Sequence, residues 1–306
     1  MISEHEFISN IISRYTKNTN DDVYYDGKLL YKIDGFQLSY SFNFMTFYDL
    51  GWKAVISSVS DVISRGGIPK TFLVSIGIPK DKISKLEELV QGVSDAIDYY
   101  TGIYAGGDLN SSDGSGWIDV SIIGEAICYK PPKINEDGLL LITSPIGYTS
   151  LIFLSYLKSW SIKLLEKAKG KIRHPIVNKQ LPEFIKNYCD EIYYSTDVSD
   201  GLLISLYNIM ERSGKGIRIY NFPIADEVME VSKEYSISLM DLIKYGGEEF
   251  ETIFIVKKSQ ADKIVDELKN LGYNPIIFGE IINEKKIVYK DRKVEKSGWD
   301  NFLGWF

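Results

Sequence analysis

Apolar positions recur along this chain with two different periods. Ala54, Val55, Val59, Val62 and Ile63 return at helical spacing within residues 49–64, and residues 82–100 form a second amphipathic helix. Ser3 and Glu6 read as a capping box opening a short helix whose stripe is Phe7, Ile8, Ile11 and Ile12. Shorter runs rich in aromatic and aliphatic residues predict strands at 29–34, 38–44, 71–77, 103–107 and 117–128. Polar stretches at 18–22 and 108–116 read as loops, and Gly66-Gly67-Ile68-Pro69 as a helix stop. In the second half, strands are expected near 139–143, 216–220, 250–256, 275–281 and 286–289, with helices between them at 201–212 and 259–271 among others.

The alternation of helix and strand breaks at Pro131-Pro132, which places a domain boundary within residues 130–138. Residues 1–134 and 135–306 are each expected to form a mixed α/β unit, so the fold class is α/β with α+β character. The 306-residue length agrees with two domains.

Composition narrows the function. The chain carries 35 Lys and Arg against 42 Asp and Glu, a net charge of −7, which disfavours a dedicated nucleic-acid binder. No run of about 18 apolar residues marks a membrane span, and the polar N-terminus does not read as a signal peptide. Two cysteines, Cys128 and Cys189, cannot build a disulfide framework, and a reducing, cytoplasmic location is the default. With two histidines in the chain, His5 and His174, any imidazole-dependent chemistry has to run through one of them.

What stands out instead is a series of acidic motifs in turn-like settings: Asp21-Asp22, Asp34, Ser60-Asp61, Gly106-Gly107-Asp108, Asp197-Val198-Ser199-Asp200-Gly201 and Gly246-Gly247-Glu248-Glu249. Hard cations such as Mg²⁺ prefer carboxylate and phosphate oxygens, and neighbouring glycines let backbone N–H groups approach anions. Taken singly, each motif is as well explained as a helix cap or a turn. Neither a P-loop nor a dinucleotide-binding glycine fingerprint is present.

In order and spacing, the motifs resemble those of the thiamine-monophosphate kinases, a branch of the PurM-like, AIR-synthase-related superfamily. The resemblance runs through Glu6-Phe7-Ile8, Gly51-Trp52-Lys53-Ala54 with Ser60-Asp61 and Gly66-Gly67-Ile68-Pro69, then Gly106-Gly107-Asp108 and Asp197 to Leu202. It continues through Gly247-Glu248-Glu249-Phe250-Glu251 and ends at Gly298-Trp299-Asp300-Asn301-Phe302. It covers nearly the whole chain.

The resemblance implies a two-domain fold whose N-terminal mixed sheet pairs across a homodimer, beside a C-terminal α/β domain. It implies transfer of the γ-phosphoryl of ATP to thiamine monophosphate, assisted by Mg²⁺. By motif position, Asp21, Asp22, Asp34, Asp61, Asp108 and Asp200 are the expected metal ligands, and Lys53, Gly106, Gly107, Asp108 and Asn110 the expected nucleotide contacts. Asp197, Ser199 and Asp200 are expected near the transferring phosphate. Phe42, Glu248, Trp299 and Phe302 are expected against the acceptor. An anionic phosphate oxygen as nucleophile needs no general base, which suits a chain poor in histidine.

Several positions depart from the family pattern. Asn20 replaces the glycine ahead of the two N-terminal aspartates, Ser41 precedes Phe42 where the family has histidine, and Asn301 replaces a closing histidine. Pro175-Ile176-Val177-Asn178 lacks the family's arginine, for which Lys53, Arg65 and Lys133 are candidate substitutes. These acceptor-side departures leave two alternatives open: a relative acting on another phosphoryl acceptor, and a non-catalytic nucleotide-binding dimer.

Overall fold

A computed structural model describes residues 2–17, 21–135, 137–160 and 166–306. The polar stretch that includes Asn18, Thr19 and Asn20 therefore lies partly outside the described residues. The chain divides into two compact units. One gathers residues 23–129 and 172–182, and the other gathers residues 1–22, 130–171 and 183–306. The first 22 residues thus belong with the second half of the sequence.

In chain order the elements are α1 (Glu4–Asn10), β1 (Tyr24–Tyr25), β2 (Leu29–Gln37), α2 (Phe47–Ser64), β3 (Gly67–Pro79), α3 (Leu86–Tyr99), β4 (Ile103–Ser112) and β5 (Trp117–Ala126). There follow β6 (Gly138–Ile142), α4 (Tyr148–Lys158), α5 (Glu166–Arg173), α6 (Leu181–Asn187), β7 (Ile192–Asp197), α7 (Leu202–Ser213), β8 (Gly216–Ile219), α8 (Asp226–Glu234), α9 (Leu239–Lys244) and β9 (Thr252–Lys257). The chain closes with α10 (Ala261–Asn270), β10 (Ile276–Ile282), β11 (Ile287–Tyr289), β12 (Arg292–Lys293), β13 (Trp299–Asp300) and β14 (Gly304–Trp305).

The unit built on residues 23–129 has a five-stranded sheet in the order β1-β2-β5-β3-β4, antiparallel except for the parallel β3–β4 pair. Thr46 and Asp49 form a reciprocal capping box that starts α2. Val55, Ile56, Val59, Val62 and Ile63 are wholly buried. A Cβ on Gly51 would lie 2.1 Å from the Leu89 carbonyl, and one on Gly92 2.0 Å from that of Tyr48, so two glycines set the contact between α2 and α3. Residues paired across a ladder share a face. Leu30, Lys32, Asp34 and Phe36 alternate with Tyr31, Ile33, Gly35 and Gln37, and Ile118, Val120 and Ile122 of β5 are buried on the face of the first set.

Three strand expectations change. Residues 38–44 form turns rather than a strand. Both β2 and β4 run on past their expected ends, so Asp34 and Gly106-Gly107-Asp108 lie inside strands. Pairing explains this: Asp34 opposes Val120, and β3 holds β4 in register as far as Pro79 opposite Ser112. A sheet partner overrides weak local preference for turns. Pro69 enters β3 at a register shift between Pro69 and Thr71, where a missing N–H is tolerated.

The other unit has a seven-stranded sheet in the order β12-β11-β8-β10-β6-β9-β7, plus a β13–β14 hairpin. Leu140, Leu141 and Ile142 of β6 and Ile253 to Val256 of β9 are completely buried, as central strands covered on both faces require. The edge strand β7 was not expected from the sequence; its Tyr193 and Ser195 gave a weak apolar signal. Neither cysteine is a free thiol, so the two cysteines lend no weight to a reducing compartment. No helix among the described residues is long and apolar enough to cross a membrane.

Candidate functional site

The expected site residues fall on both units. In the unit carrying the five-stranded sheet, Asp34 and Lys32 share the buried face of β2. Lys32 Nζ lies 2.6 Å from Asp61 Oδ2 and 3.6 Å from Asp34 Oδ2. Asp61 comes from α2 and is almost fully buried. The Gly35 N–H donates to Asp34 Oδ1 at 2.7 Å. Lys53, one of the expected nucleotide contacts, is buried on α2 with its Nζ 4.7 Å from the centre of the Phe36 ring.

The opposite face carries a further carboxylate that motif reading missed. Asp119 of β5 opposes Gly35, and a Cβ on Gly35 would stand 2.1 Å from Asp119 Oδ1. Burial, and then the charge of Asp34, push the Asp119 carboxyl above its ordinary range. The same row continues through Ser75 of β3 to Asp108 of β4. Asp108 and Asn110 are exposed on this edge strand, and Asn110 Nδ2 donates to Asp108 Oδ2 at 2.7 Å. Gly106 has φ +123, and a Cβ on Gly107 would lie 1.7 Å from the Val74 carbonyl, so both glycines are required here. Phe42 stacks parallel on Phe44 at 5.5 Å.

A second feature of this unit was not legible as a motif. Asp49 accepts from the Thr46 N–H at 2.8 Å and from Arg173 Nε at 2.9 Å, with His174 Nε2 2.7 Å from Oδ1. Burial works against its charge, but the Thr46 and Arg173 hydrogen bonds outweigh burial and hold the Asp49 carboxyl below its usual range. An arginine thus stands immediately before the His174-Pro175 pair, although the sequence pattern led one to look for it after Pro175.

In the other unit, three motif segments converge. The Val198 N–H donates to the Glu251 carbonyl at 3.0 Å and the Phe250 N–H to the Val198 carbonyl at 2.9 Å, while the Glu248 N–H donates to the Ser199 carbonyl. The Trp299 N–H donates to the Asp200 carbonyl at 2.9 Å. Glu248 and Phe250 hold positive φ values of 57° and 51°, an uncommon backbone for such residues and one found at functional turns. Gly298 is needed because a Cβ there would lie 2.6 Å from the Asp200 carbonyl. Ser199, Asp200, Glu248 and Trp299 are thereby drawn into one neighbourhood. Asp197 ends β7, buried, and its carbonyl accepts from the Ser205 hydroxyl at 2.8 Å. Trp299 packs edge-on against Trp305 at 5.4 Å, whereas Phe302 is more than half exposed and meets Phe7 of α1.

Asp21 and Asp22 also lie in this unit. Arg212 of α7 grips Asp22 with two bonds, Nη2 to Oδ1 at 2.8 Å and Nη1 to Oδ2 at 3.0 Å, and reaches Asp21 Oδ1 at 3.8 Å. The Thr196 hydroxyl donates to Asp22 Oδ2 at 2.8 Å. Lys296 is another cation absent from the motif reading. Burial pushes it below the ordinary lysine range, against the opposing pull of Glu211, Asp300 and Asp200. Among the described residues no three Asp, Glu, His or Cys side chains are gathered as a ready metal site.

Residues 20–126 match the family model for the N-terminal domain of AIR synthase related proteins. The chain is 27% identical to the thiamine-monophosphate kinase of Pyrobaculum calidifontis over 99% of its own length and 97% of that protein's. It is 26% identical to the thiamine-monophosphate kinase of Aquifex aeolicus, over 83% of this chain and 81% of the other. Along nearly its whole length the chain is thus similar to thiamine-monophosphate kinases. The structure titled AaThiL complexed with AMPPCP and TMP has the same fold, with a TM-score of 0.83 at 24% identity over 98% of this chain and 97% of that one. The family's acidic motifs are thus placed on two α/β units, as the resemblance implied for the fold.

Proposed function

We propose that this chain transfers the γ-phosphoryl group of ATP to the phosphate of thiamine monophosphate, giving thiamine diphosphate and ADP. The observation that carries the reading is the convergence of residues 197–201, 246–251 and 298–299 on one another. Three segments far apart in sequence, each matching a family motif, are held together by backbone hydrogen bonds. The named relatives, two of which are matched over most of their length, bear the same activity in their names.

The reading gives the residues these roles. Gly106 and Gly107 leave the β4 backbone bare beside Asp108, where a phosphate chain can approach N–H groups that side chains would screen. Asp108 and Asn110 present hard oxygen donors at an exposed edge, and Ser199 and Asp200 face the transferring group. Glu248 and Trp299 meet the acceptor, the acid toward the cationic ring and the indole as a stacking surface. A Mg²⁺ ion, when bound, would neutralise charge on the nucleotide phosphates and on the carboxylates that hold it. The exposed carboxylate of Asp108 fits such an ion by donor chemistry. At Asp22 and Asp61 a side-chain cation already stands against the carboxylate.

A homodimer goes with this reading, as does a cytoplasmic location. The face of the five-stranded sheet that α2 and α3 leave uncovered carries Ile33, Leu73 and Ile103, each more than two-fifths exposed, along rows shared with Ser121, Ile123 and Thr71. A second copy of the same sheet would bury it.

The test is incubation of the purified chain with ATP, Mg²⁺ and thiamine monophosphate, followed by chromatography for thiamine diphosphate. Product that depends on all three components supports the reading. Mg²⁺-dependent nucleotide binding without product would instead point to another phosphoryl acceptor or to a non-catalytic paralogue.

A further inference from the structure

Two of the expected metal ligands already carry a side-chain cation. Asp61 Oδ2 lies 2.6 Å from Lys32 Nζ, and the ammonium also reaches Asp34 at 3.6 Å. Lys32 and Asp61 side chains are 17% and 6% exposed, so water competes little for either. In the other unit both Asp22 oxygens are taken by the Arg212 fork, and Thr196 adds a third donor to Oδ2. Arg212 is itself fixed from a second side, its Nη1 lying 2.8 Å from the hydroxyl of the fully buried Tyr194.

These donors fill at least three of the roughly four lone-pair sites of Asp22 and set a positive charge beside Asp61 where a hard cation would stand. Mg²⁺ binds carboxylate oxygen at about 2.0–2.1 Å in a demanding octahedral shell. A metal on Asp61 Oδ2 would have to stand within a few ångströms of the Lys32 ammonium, and one on Asp22 would have to displace a bidentate guanidinium. Charge is met locally in each unit: Lys32 offsets one charge of the Asp34 and Asp61 pair, and Arg212 one charge of the Asp21 and Asp22 pair.

We propose that Lys32 and Arg212 are resident counter-cations that take the places of divalent ions at Asp61 and Asp22, so that this chain loads fewer divalent ions than its acidic motifs provide for. At these two aspartates the residues present do not fit a metal. The proposal deepens the kinase reading and rests on it for the identity of the nucleotide.

Mn²⁺ bound per chain can be counted from the paramagnetic resonance signal of the free ion during a Mn²⁺ titration, first without nucleotide and then with a non-hydrolysable ATP analogue. Lys32→Thr exchanges the ammonium for an oxygen donor and is expected to add one Mn²⁺ per chain in the nucleotide-free count. Arg212→Met is expected to do the same at Asp22. Asp61→Asn in the otherwise unchanged chain is expected to leave the count as it is. A Lys32→Thr count equal to that of the parent, or the loss of one ion in Asp61→Asn, overturns the proposal at Asp61. Should circular dichroism show Lys32→Thr unfolded, the Asp61→Asn count decides alone. If the analogue fails to bind, the kinase reading falls, while the nucleotide-free counts still decide the present proposal.

Discussion

Replacing Arg212 should expose how much of its unit depends on one guanidinium. Arg212 makes two bonds to Asp22, lies near Asp21 and bonds Tyr194, with its side chain 13% exposed. Burial opposes its charge, but the Asp22 carboxylate, foremost among its neighbours, outweighs burial and keeps its pKa well above the ordinary arginine value. Removing one partner of such a pair leaves an uncompensated charge behind and costs about 3–5 kcal/mol. At about 2–4 °C per kcal/mol for a unit of this size, Arg212→Met should lower the melting temperature by about 6–20 °C. Replacing both partners removes the stranded charge, so the double variant Asp22→Asn, Arg212→Met should recover about 2 kcal/mol or more relative to the sum of the two single changes. Calorimetry and urea unfolding of the four proteins in the cycle would measure this. A cost below about 1 kcal/mol for Arg212→Met, or additivity within about 0.5 kcal/mol, would refute the reasoning.

Other outcomes follow from particular contacts. Glu249 is wholly buried and its carboxyl is raised by burial, so the folded state binds a proton more readily than the unfolded chain. Stability should therefore fall as pH rises above the ordinary glutamate range, and Glu249→Gln should flatten that slope in urea melts; equal slopes would count against it. Gly35→Ala should cost about 1–3 kcal/mol, because the new Cβ would lie 2.3 Å from the Ile118 carbonyl, which cannot swing away. Asp108→Asn should lower kcat for thiamine diphosphate formation about a hundredfold or more with the fold unchanged, and near-normal turnover would remove Asp108 from the phosphate site. Ile33→Asp should convert a dimer to a monomer in light scattering, and an unaltered mass would assign the exposed sheet face to something else.

Much of the fold was legible because its strongest signals are periodic. The stripe of α2, the capping box at Ser3 and the apolar runs of β6 and β9 carry their geometry locally. Strand extent did not, because β2 and β4 are lengthened by partners that lie elsewhere in the sequence. Motif order singled out Ser199, Asp200, Glu248 and Trp299 one by one, and the backbone bonds that draw their segments together appear only in the fold. The cations beside the acids stayed hidden for a physical reason: Lys32 and Arg212 occupy unremarkable strand and helix positions, and only the fold brings them to Asp61 and Asp22. Asp119 was missed likewise, since nothing local to 117–121 hints that Gly35 makes room for its carboxylate.

The Gly106-Gly107-Asp108 stretch, lying within a paired strand, inherits the stiffness of a lattice. In a loop, an insertion or deletion of one residue ahead of Asp108 could be absorbed by a change of path. In β4 it would carry the carboxylate through the sheet to the opposite side, since successive side chains alternate. Length changes between residues 106 and 108 should thus be tolerated, if at all, in steps of two, so that lineages drifting in this segment preserve parity before they preserve identity.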